Sequence, residues 1–360
     1  MDRRDFMKYV GGTGLTLMGT EALGASFIPE TTTGSVASII DQQTLYKDCL
    51  RFNAGGTLKI VQFTDCHYKT DDVANSQLGL DTMGEVLDKE QPDFVIYTGD
   101  VVYSKGTFLG LDAVLNLSIK RNLPFAVVFG NHDDEFDHTR AELYDYIQKK
   151  KGAVMPVRVT KDAPDYIIPV KAHDSEKIAA LLYCIDSHSY SQVEGVPGYD
   201  WIHHEQINWY REVSHHFTAQ NGGKPLPALA FFHIAIPEFR DALTDDHNRV
   251  FGVKAEGVCS PKLNSGFFTA AKECGDIMGM FIGHDHDNDY AVMYRGVMLA
   301  YGRYSGGNTV YNDIPNGGRV IELLEGERKL KSHIRVKNDV VESALTYPES
   351  FVIQNFKKKG

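Results

Sequence analysis

Five short segments of this sequence end or turn on aspartate, asparagine or histidine, and each follows an apolar run. FTDCHY carries Asp65 and His67, YTGDVVY carries Asp100, and FGNHDDE carries Asn131 and His132. FFHIAIPE carries His233, and IGHDHDND carries His284 and His286. With His132 set aside, the inventory is two aspartates, one asparagine and four histidines. Hard oxygens and imidazoles in this proportion suit two adjacent divalent or trivalent cations, and no thiolate set for zinc–sulfur or iron–sulfur chemistry accompanies them.

Asp100 stands in the middle of the first three segments, where a carboxylate can join two cations with one oxygen on each. Asp65 and His67 alternate along the chain, which turns both toward one cation and Cys66 away from it. His286 would complete that set. Asn131, His233 and His284 would complete the second, the amide being a weak donor that leaves a cation Lewis acidic. A hydroxide held between two such ions is a strong nucleophile at neutral pH, and the ions also grip the oxygens of a phosphate. His132, not needed as a ligand, is then the candidate general acid for the leaving alkoxide. Asp133 or Asp134 is the expected partner that orients its ring. Taken singly, a D-x-H or a GNHD is commonly a turn or a cap, and a lone His233 is commonly a core histidine. Five such segments in order, each at a strand end, outweigh that reading.

The elements that must position these groups are legible in the spacing. LKIVQFTD, PDFVIYTGD and PFAVVFGNHD read as buried strands. Amphipathic helices separate them, one through Leu78, Met83, Val86 and Leu87 and one through Leu111, Val114, Leu115 and Ile119. Successive βαβ units make parallel strands whose carboxyl ends share one rim, so Asp65, Asp100 and Asn131 should lie side by side. IAALLYCIDSH, ALAFFHIAI and IMGMFIGHDH continue the pattern with strands that end near Asp186, His233 and His284. HHEQINWYREVSHHF reads as a helix. DYAVMYRGVMLAYGR and GGRVIELLEGE alternate like antiparallel strands.

Composition narrows the function further. The 360 residues are 42% hydrophobic, enough for a large core, and the formal net charge is −11. Such a chain does not attract long nucleic acids, whose binding rests on phosphate neutralisation; a small phosphoester is the expected partner, and oligomeric state is left open. No apolar run reaches the ~18 residues that span a bilayer, so no stable membrane anchor is expected. Residues 1–25, with Arg3-Arg4 ahead of a Gly-rich apolar stretch, resemble a twin-arginine export signal, which implies a periplasmic location. A lead-in over 26–50, a catalytic domain over 51–336 and an appendage of uncertain order over 337–360 follow. Five cysteines, Cys49, Cys66, Cys184, Cys259 and Cys274, lack CxxC spacing; one disulfide is feasible, Cys259 and Cys274 being nearest in sequence. His203, His204, His215 and His216 read as solvated surface. Tyr301 and Arg303 are equally readable as substrate contacts or structural partners, and Asn264 and Ser265 as helix caps.

The ordered set D-x-H, G-D, G-N-H-D, H and G-H-x-H over residues 58 to 325 resembles the calcineurin-like metallophosphoesterases. The stretch FGVKAEGVCSPKLNSGFF with GHDHDND is similar to their purple-acid-phosphatase-like branch. The resemblance implies an α/β fold of two mixed sheets packed as a sandwich flanked by helices, with a dinuclear site at the strand ends. It implies Asp65, His67, Asp100 and His286 on one metal, Asp100, Asn131, His233 and His284 on the other, and His132 as proton donor. It implies a metal-dependent phosphoester hydrolase, a phosphomonoesterase first. A phosphodiesterase acting on nucleotides or lipid headgroups is the alternative, and a noncatalytic metal-binding scaffold comes third. Purple acid phosphatases proper have D-x-G first and a tyrosine ligand from G-D-x-x-Y. This chain has both His67 and Tyr103; His67 is favoured as the ligand and Tyr103 as its neighbour, which leaves the metals open among Fe, Zn and Mn.

Overall fold

The structure, a computed structural model, describes residues 50–156, 165–245 and 248–352. The export-signal segment, the lead-in up to residue 49 with its Cys49, and the lysines of the last eight residues lie outside the described residues.

Two mixed sheets form the molecule's centre. In the first, β2 (Thr57–Phe63), β3 (Phe94–Thr98) and β4 (Phe125–Val128) run parallel, and β12 (Gly317–Leu324), β13 (Leu330–Val336) and β14 (Val340–Tyr347) continue antiparallel on the far side of β2. The second has eight strands. β1 (Leu50–Arg51), β5 (Tyr166–Lys171), β6 (Ile178–Cys184) and β7 (Ala228–Phe231) make one half, and β9 (Ile277–Ile282), β11 (Val297–Tyr301), β10 (Ala291–Tyr294) and β8 (Val250–Phe251) the other. Here β6, β7, β9 and β11 are parallel neighbours. The expected hairpin of β10 and β11 is antiparallel, turning at Arg295 and Gly296, both at positive φ, as tight two-residue hairpins require.

Period-two alternation divides the core. Ala180, Leu182 and Cys184 of β6 join the cluster between the sheets with Ile60, Val95 and Phe281, while Leu181 and Tyr183 face the other way. That second face is covered by α4 (His204–Gln220) and α5 (Phe267–Cys274) through Ile207, Tyr210 and Phe267. The first sheet is covered by α1 (Val73–Glu90) and α2 (Thr107–Lys120) through Met83, Val86, Leu111 and Val114. Each such side chain contributes roughly 1.5–3 kcal/mol by leaving water. α3 (Arg140–Gln148) starts on a capping box of Thr139 and Glu142, which satisfies two of its free N–H groups.

Two expectations need correction. The segment from 337 onward is no appendage through its described part. β14 pairs with β13 from Val336↔Val340 to Leu330↔Tyr347, and Phe351 is buried edge-on against Phe251 at 5.2 Å. The strand mixes polar and apolar residues, VVESALTY, so no apolar run announced it, and Val340 and Val341 stay exposed on this sheet edge. Cys259 and Cys274 do not pair: both are free, as are Cys66 and Cys184.

Candidate metal centre

The parallel register decides where the first three segments meet. Phe63 pairs with Tyr97 and Tyr97 with Val127, so β2, β3 and β4 end almost level. The loops that follow are laced together: Asp65 donates its N–H to Gly99 O at 3.0 Å and His67 to Asp100 O at 2.9 Å. Asp65, His67, Asp100 and His284 all adopt positive φ. Non-glycine residues held there cost of order 1–3 kcal/mol each and persist where surrounding contacts impose them. The glycines of the motifs have a steric reason. A Cβ on Gly99 would lie 2.4 Å from His233 Nδ1, and one on Gly130 would lie 2.0 Å from Asp100 Oδ1.

Two ligand sets result. Asp65, His67 and His286 bring one donor atom each within 4.8 Å of one another, and Asp100, His233 and His284 do the same. All six residues are buried. Asp100 Oδ2 stands between the sets, 3.6 Å from His67 Nε2 and 3.2 Å from His233 Nε2. Asp100 Oδ1 accepts the His132 N–H at 2.8 Å. The expected division of labour, one oxygen to each cation, is therefore corrected: Oδ2 alone faces both sets because backbone holds Oδ1.

The residues fit a pair of cations on this structure's own evidence. Asn131 Oδ1, His233 Nε2 and His284 Nε2 are buried without an aligned hydrogen-bond partner, a costly condition unless something else occupies them. His233 Nδ1 and His286 Nδ1 each lie 2.8 Å from a carbonyl oxygen, of Thr98 and Tyr311. Those nitrogens therefore carry the proton, and the Nε2 lone pairs point inward. Asp65 and Asp100 have only histidines as ion-pair partners among the described residues.

Protonation follows the same logic. Burial holds the His67 and His284 imidazoles well below their usual range, in the neutral form that donates a lone pair. At His233 burial also favours the neutral ring, but Asp100 and Asp65 outweigh it and raise the imidazole to about 10. A proton there occupies the place a cation would take, so metal uptake must release it.

The remaining residues sort by contact. Asp133 does not orient His132. Its buried carboxylate accepts the N–H groups of Asp100 at 2.9 Å, Val101 at 2.8 Å, Val102 at 3.3 Å and Gly130 at 2.8 Å, pinning the loop after β3 to the loop after β4. Burial and the Asp100 charge push it up to about 6. Asp134 pairs with Arg140 at 3.3 Å. Instead, Glu135 Oε2 lies 2.9 Å from His132 Nδ1, in ion-pair reach though not in hydrogen-bond alignment. The His132 side chain keeps 25% exposure at the rim. Tyr103 stands edge-on to His67 at 5.5 Å and 4.5 Å from the His132 ring, a neighbour of the first set, which His67 enters. Tyr190, Tyr199 and Tyr311, which motif reading did not single out, touch Asn131, His284 and His286. They come from loops with no fixed spacing to the motifs.

The other tempting residues are structural. Tyr301 donates to Asp285 at 2.5 Å, and Arg303 is buried against Asp289 and Glu342. His204 and His215 are exposed. Asn264 accepts from Gly266 N and donates to Glu238.

Comparison with known proteins agrees with this geometry. Residues 58–288 match the family model described as calcineurin-like phosphoesterase. "Probable inactive purple acid phosphatase 29" of Arabidopsis thaliana is 33% identical over 285 residues, covering 70% of this chain and 73% of its own. "Phosphatase DCR2" of Saccharomyces cerevisiae is 31% identical over 327 residues, covering 78% of this chain and 54% of its own. A dimetal phosphatase from Danio rerio superposes on 80% of this chain and 98% of its own with a TM-score of 0.56 at 12% identity, which shows a common fold.

Proposed function

The chain belongs to the calcineurin-like phosphoesterases, phosphoric ester hydrolases, and we propose that within that family it is a phosphomonoesterase using His132 as general acid. The observation that carries this reading is the conjunction of two buried ligand sets meeting at Asp100 Oδ2 with an imidazole left free at their open edge. Asp65, His67, Asp100 and His286 would hold one cation, and Asp100, Asn131, His233 and His284 the other. Two cations so held supply Lewis acidity toward phosphoryl oxygens and lower the pKa of bound water.

The chain's own groups do the rest. The His132 backbone N–H holds Asp100 Oδ1, so the ring is fixed beside the centre without being part of either set. Its imidazole, backed by Glu135, can deliver a proton to the departing oxygen. Exposure of the ring leaves room for an alcohol on that side. Replacing His132 with Ala tests the role: kcat should fall about 100- to 10,000-fold on alkyl phosphates and far less on 4-nitrophenyl phosphate, whose leaving group needs no proton. Equal losses on both would overturn the assignment. Parallel assays with bis(4-nitrophenyl) phosphate separate the monoesterase from the diesterase.

The word "inactive" in the name of the plant relative favours a second reading, a metal-binding scaffold. Retention of every motif residue together with His132 supports catalysis instead; metal-loaded protein that turns over no phosphoester would decide for the scaffold. Export is part of the proposal, supported by Arg3 and Arg4 ahead of the apolar stretch. Lysines at both positions should hold the chain in the cytoplasm, as fractionation would report.

A further inference from the structure

The loop between β6 and α4 reaches the second ligand set at two points. It is rooted at Arg140, which donates to Asp186 Oδ1 at 2.8 Å and Ser189 Oγ at 2.6 Å. Above that root Tyr190 and Tyr199 form an antiparallel bridge and stack at 5.8 Å with rings 23° apart. Tyr199 then stands edge-on to His284 at 4.4 Å. Tyr190 Oη accepts from Asn131 Nδ2 at 3.3 Å and donates to Glu135 Oε1 at 3.2 Å. Glu135 uses its other oxygen for His132, 2.9 Å from Nδ1.

This hydroxyl sits at a junction. An asparagine amide can present either end to a cation, and only the oxygen can bind one. With Nδ2 engaged by Tyr190, Oδ1 is left buried and without a hydrogen-bond partner of its own. The same hydroxyl fixes the carboxylate that backs His132. Yet Tyr190 is 43% exposed, so packing alone does not explain its placement.

We propose that Tyr190 is a positioning residue that locks the Asn131 amide oxygen toward the second cation and ties that ligand, through Glu135, to His132. The proposal rests on the dinuclear reading above but not on turnover. Removing the hydroxyl frees the amide to rotate and releases Glu135, while Tyr199 still covers His284. Supporting contacts of this kind are commonly worth 10- to 100-fold in metal affinity or activity.

The experiment uses full-length protein stripped with a chelator and titrated with Mn2+ alone, read by electron paramagnetic resonance of free Mn2+ and by calorimetry. Parent protein should bind two ions. Tyr190→Phe, which keeps the ring, should weaken one of the two by about tenfold and leave the other within twofold. Glu135→Ala should weaken that same ion by a smaller factor, and the double variant should lose little more than Tyr190→Phe because the two contacts act in one chain. His132→Ala should leave both affinities unchanged. Two Mn2+ affinities in Tyr190→Phe within twofold of the parent would overturn the proposal, as would an equal weakening of both ions. Parent protein that binds two ions and hydrolyses no phosphoester would remove the catalytic reading while leaving this one standing.

Discussion

A methyl group at Gly130 would lie 2.0 Å from Asp100 Oδ1 and 2.5 Å from Asp100 N, so neither the carboxylate nor its loop could stay in place. Gly130→Ala should therefore cut turnover of 4-nitrophenyl phosphate by at least about 100-fold and lower bound metal below two equivalents, since Asp100 serves both sets; a near-normal rate would show that the carboxylate has another resting position. Asp133 fails differently. Its carboxylate gathers backbone N–H groups from two loops, and charge-assisted bonds of this type contribute about 1.5–3 kcal/mol. Asp133→Asn should lower unfolding free energy by about 2–3 kcal/mol in urea titrations, with the ratio of alkyl to aryl phosphate rates unchanged because the substitution does not touch the His132 ring. The motif reading named the six residues that the structure gathers into two sets but chose the wrong carboxylate to back His132. Adjacency in sequence does not give direction: the chain turns after Asn131, with the Glu135 N–H reaching His132 O at 3.3 Å, and that turn brings residue i+3 rather than i+1 under the ring.

At the scale of elements, the rim depends on how α1 and the antiparallel half of its sheet are joined. Glu90, at the end of α1, is buried and accepts from Arg335 Nε at 2.7 Å and lies 2.9 Å from His333 Nε2, both on β13. Burial alone would raise its carboxyl, but His333 and Arg335 hold it down at about 2 against an ordinary 4.5. A carboxylate with a depressed folded pKa stabilises fully above its unfolded value and loses that stabilisation as pH falls toward the folded one. Parent protein should thus lose stability between about pH 5 and pH 2 through this clamp, and Glu90→Gln should be destabilised by about 2 kcal/mol at pH 7 with the difference shrinking toward pH 3. Chemical denaturation at several pH values measures both. The clamp also explains which elements could be read in advance. β3 and β4 are buried along their whole length and β2 from Ile60 to Phe63, because both faces are covered there, so they read as largely apolar runs, and their motifs follow at βαβ spacing. β13 and β14 carry polar and exposed residues on one face and gain their order from pairing and from ionic contacts such as Glu90 with Arg335, which have no local signature.

For the whole molecule, the centre is a liability without cations. Two aspartates and four histidines are buried in one place, with only one another as charge partners. Uncompensated polar groups of that kind oppose folding. Cations that bind only the folded chain reverse the effect by mass action, about 2.7 kcal/mol for each site at a free concentration 100 times its dissociation constant. Because the centre joins loops from both sheets, that stabilisation should reach the global transition and not only the rim. Chelated protein should melt several degrees lower than protein with Mn2+ or Zn2+ restored, taking about 2–4 °C per kcal/mol for a domain of this size. Asp100→Ala should abolish the response, since its Oδ2 faces both sets, whereas His132→Ala should keep it whole although hydrolysis of alkyl phosphates falls. Differential scanning fluorimetry across a metal series reads all three proteins at once. A melting point that ignores metal in the parent protein would mean that the two sets are held together by protons and hydrogen bonds alone, and the dinuclear reading would fall with it.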